Sequence, residues 1–167
     1  NLIIKHKIVL AGKLLKEEIE LIKSWFVKLD VPLQHLILLG YISDKELVKL
    51  YQKCFLFVFP SIHEGFGLPV LEAMTCGAAV IASNTSSIPE VIGFSDAMFN
   101  PLDVHEITSL LKKALLDKDF YAKLKSNAKT RSLLFSWKLT AKKTMIAINE
   151  IHIKNKRNYK LITYNDH

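Results

Sequence analysis

Phe55-Leu56-Phe57-Val58-Phe59 is a five-residue apolar run with no polar alternation, stopped by Pro60. Ser61-Ile62-His63-Glu64-Gly65-Phe66-Gly67 follows as an irregular segment, and Leu68-Pro69-Val70-Leu71-Glu72-Ala73-Met74-Thr75-Cys76 reads as a helix. Pro69 suits the first turn of that helix, where its missing N–H is harmless, and Gly77 suits its C-cap. Ala78-Ala79-Val80-Ile81-Ala82 is then a second continuous apolar run. Short non-alternating runs separated by a helix belong to a parallel sheet covered on both faces.

The same alternation extends outward. Lys7-Ile8-Val9-Leu10-Ala11, ended by Gly12, and His35-Leu36-Ile37-Leu38-Leu39, ended by Gly40, read as buried strands. Between them Leu15, Ile19, Ile22, Phe26 and Leu29 recur as the stripe of a core-facing helix. Ser43-Asp44-Lys45-Glu46 is a capping box opening a helix to about Lys53. After Ala82 come a polar loop (Ser83-Asn84-Thr85-Ser86-Ser87), a short turn or helix at Ile88-Pro89-Glu90-Val91, and a brief strand at Ala97-Met98-Phe99. Asp103 caps a helix to about Leu116, another runs from about Lys118 to Leu133, and a last one starts near Ser136. The stripe of that last helix is Trp137, Ala141, Met145 and Ile148, with Trp137 expected in the core. The fold expected is α/β, a Rossmann-like three-layer domain with a parallel sheet. It spans residues 1–153, followed by a basic tail at 154–167.

Composition narrows the function. With 167 residues, half of them hydrophobic and 23% charged, the chain can bury a core and is not of disordered type. No apolar run approaches the roughly 18–20 residues of a membrane helix. The start, Asn1-Leu2-Ile3-Ile4-Lys5, has no apolar region of signal-peptide type, and Cys54 and Cys76 make no disulfide framework. A cytoplasmic setting is expected. The net charge of +7 invites anionic partners, but all but two of the 23 basic residues are lysine. Bidentate reading of bases and phosphates uses arginine, which argues against nucleic acid. Solvated helix faces account for most lysines. The alternative is an electrostatic lean toward an anionic membrane surface, centred on Lys154, Lys156, Arg157 and Lys160.

In open parallel sheets, ligands sit at the carboxyl ends of the strands. The loop after Phe59 is the richest such place. Gly65 and Gly67 flank Phe66, so the chain can turn sharply there and a ligand can come close. The free N–H groups and positive dipole end of the helix behind it form an anion site. Glu64 and Glu72 supply carboxylates for hydroxyl groups. Amides for phosphate and carboxylates for hydroxyls describe a site for a phosphorylated polar ligand. The plainer reading is a glycine turn between strand and helix with two surface glutamates.

Seven residues separate Glu64 from Glu72, with Gly65-Phe66-Gly67-Leu68-Pro69 among them. This resembles the Glu-x7-Glu signature of retaining GT-B glycosyltransferases, in particular glycosyltransferase family 4, the glycosyl transferases group 1. Leu39-Gly40-Tyr41-Ile42-Ser43-Asp44, Phe57-Val58-Phe59-Pro60-Ser61, Ile88-Pro89-Glu90-Val91-Ile92-Gly93, Asn100-Pro101-Leu102-Asp103 and Phe135-Ser136-Trp137 extend the likeness over about residues 7–150. The resemblance implies the donor-binding, C-terminal half of a GT-B fold, truncated at its N-terminal edge. It implies Glu64 as the catalytic glutamate beside the donor sugar and Glu72 on the ribose hydroxyls. Backbone N–H groups of Phe66 and Gly67 would meet the sugar; Leu68, Pro69 and Val70 would meet the diphosphate, where only Leu68 and Val70 can donate. Tyr41 and Ile42 would flank the base.

The family's Gly-Arg…Lys pair is not found at Gly12-Lys13, because Gly12 and Gly40 leave room for only one helix and one strand. It is expected upstream of residue 1, with the acceptor-binding domain, in a longer protein. Ser86, with Thr85 and Ser87, is a candidate to hydrogen-bond a phosphate, and turn chemistry explains these hydroxyls equally well. Lys13 as a minor phosphate contact and His63 as a contact to donor or acceptor are further candidates; a surface lysine and a loop-lining histidine are the commoner roles. The resemblance implies a nucleotide-diphosphate sugar as donor substrate, no cofactor and no metal. Its partner would be a glycan or lipid-linked acceptor, and its setting the cytoplasm or the inner membrane face. The alternative is a sugar-nucleotide-binding module without catalysis.

Overall fold

The computed structural model describes residues 6–163, with side chains over residues 6–154. The chain divides into two compact units, with the boundary between Leu50 and Tyr51.

The first unit holds β1 (Ile8–Ala11), α1 (Lys16–Lys28), a 3-10 turn at Leu33–His35, β2 (Leu36–Gly40) and the start of α2 (Asp44–Lys53). β1 and β2 pair in parallel, from Ile8 opposite Leu36 to Leu10 opposite Leu38. The Gly12 N–H donates to the Gly40 carbonyl at 2.8 Å, so the carboxyl ends of both strands stay together. α2 starts as its sequence requires. The Ser43 N–H and hydroxyl both donate to Glu46 Oε2, at 2.8 and 2.7 Å. These bonds, the hydroxyl first, hold the Glu46 carboxyl below its usual range.

Two expectations fail in this unit. Ile8 and Val9 of β1 are exposed rather than buried. No residue of α1 is buried; Ile19, Ile22 and Phe26 are half-covered, while Leu15 and Leu29 at the stripe's ends are exposed. A two-stranded sheet offers too little apolar surface to cover a stripe three turns long.

The second unit contains β3 (Leu56–Phe59), α3 (Leu68–Thr75), β4 (Ala79–Ser83), α4 (Ile88–Ile92), a 3-10 turn at Ser95–Ala97 and β5 (Met98–Phe99). The helices α5 (Val104–Leu116), α6 (Lys118–Ser132) and α7 (Trp137–Thr163) complete it. The three strands form a parallel sheet in the order β3-β4-β5. β4 is central and buried at all five positions, which is why its sequence does not alternate. Val70, Ala73 and Met74 of α3, Ile88, Val91 and Ile92 of α4, Phe99, and Phe120, Leu124 and Ala128 of α6 are all buried.

Turn chemistry closes the elements. Gly77 takes φ +81°, and the Ala78 and Gly77 N–H groups donate to the Ala73 and Met74 carbonyls, both at 2.9 Å. That is a Schellman motif, and it delivers the chain straight into β4. The Asp103 carboxylate caps α5 through the His105 and Glu106 N–H groups, and Asp117 caps α6 through Phe120.

Trp137 corrects the sequence reading: it is 80% exposed rather than part of the core. All described side chains of α7 are exposed, including Met145 and Ile148. The helix runs on past the start of the basic tail at 154; the side chains of Lys156, Arg157 and Lys160 lie outside the described residues.

Met74 is 1% exposed, and Met74→Ala should destabilise the chain by about 2–5 kcal/mol, through lost transfer energy and a residual cavity. Leu29→Ser should stay within about 0.5 kcal/mol. Urea unfolding of both variants checks the ranking, and equal losses would place the core wrongly.

Candidate functional site

The loop from Pro60 to Gly67 leaves the carboxyl end of β3 and has no regular secondary structure of its own. Hydroxyl groups from the end of β4 and the segment behind it hold it in place. The buried Ser83 donates through Oγ to the Ser61 carbonyl at 2.5 Å, and Thr85 Oγ1 donates to the same carbonyl at 3.3 Å. The Ser86 hydroxyl donates to the Glu64 carbonyl at 2.5 Å and accepts the Glu64 N–H at 3.1 Å. Ser87 Oγ also donates to the Glu64 carbonyl, at 3.0 Å.

The Glu64 side chain is half-buried, and its Oε1 accepts from the Ser61 hydroxyl at 3.0 Å. Oε2 has no protein donor among the described residues. One oxygen is therefore tethered while the other keeps its lone pairs free of protein donors among the described residues. His63 is exposed beside it, and its carbonyl, 3.2 Å from Ser61 Oγ, shares that hydroxyl's one proton with Glu64 Oε1.

Gly67 makes the corner into α3 at φ +93°. It is buried, and a Cβ there would stand 3.5 Å from Ile88 Cγ1, an ordinary contact. The conformation, not space, demands glycine, since a left-handed L-residue costs roughly 1–2 kcal/mol. The Val70 N–H turns back to the Gly67 carbonyl at 3.0 Å, which removes it from the diphosphate donors that the sequence nominated. Pro69 has no N–H. Among the described residues, the N–H groups of Gly65, Phe66, Gly67 and Leu68 have no protein acceptor. Four free amides thus follow Glu64 into the N-terminus of α3.

Phe66 is 41% exposed, and its ring meets Phe135 edge-on, with centroids 5.8 Å apart. Arg131 lies over the Phe135 ring at 5.5 Å. Its guanidinium donates to the Glu90 carbonyl and, at 3.1 Å, to the Val91 carbonyl, capping the end of α4.

Glu72 lies one turn into α3, and its Oε2 accepts from the Tyr51 hydroxyl at a long 3.5 Å. Burial, and then the Glu72 carboxylate, push the Tyr51 phenol up to about 12. Burial likewise raises the half-buried thiols Cys54 and Cys76, which act as inert packing groups.

The structure therefore joins Glu64, Phe66, Gly67, Leu68, Pro69 and Val70 on one loop and helix start, with Ser86 bonded to Glu64. Tyr41, Ile42 and Lys13 belong to the first unit. There Lys13 follows β1 and Tyr41 follows β2, the latter 89% exposed, while Ile42 is half-covered. Sequence reasoning missed Tyr51, Ser61 and Phe135 as supports. The concentration of hydroxyl residues in both loops was the available signal.

The raised Tyr51 pKa has a pH consequence. The folded state keeps this phenol protonated after the unfolded chain, near 10, has lost its proton. The contribution is complete below pH 10 and is lost as pH rises toward 12. Tyr51→Phe should flatten the stability loss in that window, as read by urea midpoints across alkaline pH. An unchanged slope would show that Tyr51 is not the titrating group.

The profile of the family described as glycosyl transferases group 1 matches residues 2–131. The serotype-specific mannosyltransferase WbdA of Escherichia coli is 50% identical over 137 residues, covering 82% of this chain and 17% of that protein. The O-antigen chain mannosyltransferase B of Escherichia coli is 38% identical over 109 residues, covering 65% of this chain and 29% of the relative. The chain thus spans well under a third of the length of these curated relatives. The Anabaena protein HepE in complex with UDP superposes with a TM-score of 0.71 at 21% identity, over 87% of this chain and 41% of HepE. Sucrose-phosphate synthase from Thermosynechococcus elongatus gives a TM-score of 0.73 at 22% identity, over 87% of this chain and 38% of the synthase. With the Glu64–Glu72 loop framed between parallel strands, these likenesses fix the assignment: the chain belongs to the glycosyl transferases group 1 family.

Proposed function

We propose that this chain is the donor-binding half of a retaining, metal-independent glycosyltransferase. The full-length enzyme carries mannose from a nucleotide-diphosphate mannose to a growing surface glycan or lipid-linked acceptor. One observation carries the reading. Glu64 is pinned through its backbone, keeps one free carboxylate oxygen, and precedes four unpaired amides that lead into the N-terminus of α3. The sugar is taken from the relatives, since both WbdA and the O-antigen chain enzyme are mannosyltransferases.

In this proposal the Leu68 N–H and the helix dipole meet the diphosphate, and the Phe66 and Gly67 N–H groups meet sugar hydroxyls. Glu72 accepts from the ribose hydroxyls. The acceptor oxygen bonds to the anomeric carbon on the face from which the diphosphate oxygen departs, so configuration is retained. A donor phosphate oxygen takes the acceptor proton. Glu64 stands beside the sugar, where its negative charge favours the oxocarbenium-like state. The acceptor is held by another part of the full-length protein, which works in the cytoplasm or against the inner membrane face. Among the described residues, no helix is long and apolar enough to cross a membrane.

Transfer from a panel of GDP-, UDP- and ADP-sugars by the full-length protein tests the reading. Glu72→Ala should weaken the free nucleoside diphosphate by about 1.5–3 kcal/mol, the range of charge-assisted bonds. Glu64→Ala should lower kcat and leave that affinity nearly unchanged. If both variants only weakened binding, the division of roles would be wrong. The 167-residue chain alone should transfer nothing, because acceptor orientation supplies about 7–11 kcal/mol of the barrier reduction.

A further inference from the structure

We propose that Ser86 is a positioning residue, whose hydroxyl clamps the peptide of Glu64 and thereby sets where that carboxylate stands against the donor sugar. The inference rests on the reading of Glu64 given above and names the device that makes it work.

Ser86 has φ +59°, one of two non-glycine residues with positive φ among those described. The other, Asp30, lies just past the end of α1, where short polar residues often turn left-handed. Ser86 precedes α4 and terminates no helix. Glycine would adopt this backbone without strain, so the hydroxyl is what serine adds.

That hydroxyl's one donor is committed. Its single proton goes to the Glu64 carbonyl at 2.5 Å, and a lone pair takes the Glu64 N–H at 3.1 Å. It has no proton left for a phosphate oxygen, which is the role the sequence suggested. Both bonds end on the backbone of the residue whose side chain meets the sugar. Ser87 supports the same carbonyl but leaves the N–H alone. Ser86 is therefore the one described side chain that holds Glu64 from both sides of its Cα. Residues 60–66 belong to no strand or helix whose ladder could do this.

The experiment compares Ser86→Gly, Ser87→Ala and Glu64→Gln in the full-length protein, below the unfolding midpoint of each variant. Transfer kinetics are read beside calorimetric binding of the free nucleoside diphosphate. Ser86→Gly relieves the left-handed strain while removing the clamp. It should lower kcat about tenfold to a hundredfold, as a small misplacement of a reacting group does. Nucleoside diphosphate affinity should stay within about twofold, marking a loss felt only in the chemical step. Ser87→Ala should have a smaller effect on kcat. An unchanged kcat in Ser86→Gly overturns the inference. So does a parallel loss of nucleoside diphosphate affinity, which would mark direct phosphate contact. If Glu64→Gln lowers kcat and Ser86→Gly does not, the Ser86 inference alone fails. If Glu64→Gln leaves kcat intact, the role of Glu64 fails and this inference falls with it.

Discussion

The hydrogen bond from the buried Ser83 hydroxyl to the Ser61 carbonyl is the contact on which the site depends. A parallel strand that ends inside a sheet leaves its next peptide groups without a ladder partner, and a buried carbonyl without a donor is costly. β4 is the most enclosed element of the second unit, so whatever is bonded to its end inherits its rigidity. Ser83 passes that rigidity across to the loop behind β3. Thr85 and Ser87 extend the line, so the irregular segment is bonded to its neighbour at two further points. The geometry of this loop is thus a by-product of satisfying backbone groups at the end of a central strand.

Helix packing supplies the second support. α3 buries Val70, Ala73 and Met74, which leaves its first turn with no freedom to tilt. Gly67 can hold its corner because Ile88 and Val91 of α4 press beside it without clashing. The amides at the start of α3 are consequently held without protein acceptors, as donors that the proposed function assigns to the donor substrate. Preorganised donors of this kind need no rearrangement as charge develops.

Much of this could be read in the residues. Local chemistry transferred well: Ser43 with Glu46, Asp103, and Gly77 did what their side chains or lack of one require. The central strand was legible from five apolar residues in a row, and the Glu64–Glu72 spacing pointed to the loop. Burial transferred less well. Trp137 and the ends of the α1 stripe are apolar, yet periodicity states only which residues share a face, not what covers that face. The Ser86 clamp was illegible for another reason. Its bonds join residues 22 positions apart, and nothing in a polar loop announces which hydroxyl turns left-handed. The Val70 amide was nominated for a ligand and instead closes its own helix turn, a choice made by local backbone geometry.

Arg131 gives the fold a further property. It is one of only two arginines among 23 basic residues, and its guanidinium serves backbone carbonyls and the Phe135 ring. Its fork spans the Glu90 and Val91 carbonyls, while Asn127 takes the Ile92 carbonyl at 2.9 Å. Lysine carries the same charge on a single point and could not bridge two carbonyls in that planar fashion. In a chain that drifts to lysine almost everywhere, position 131 is where geometry overrides compositional bias. A lysine there would give up the paired hold of α6 on the Glu90 and Val91 carbonyls of α4 and leave the Asn127 bond to Ile92 with the apolar packing.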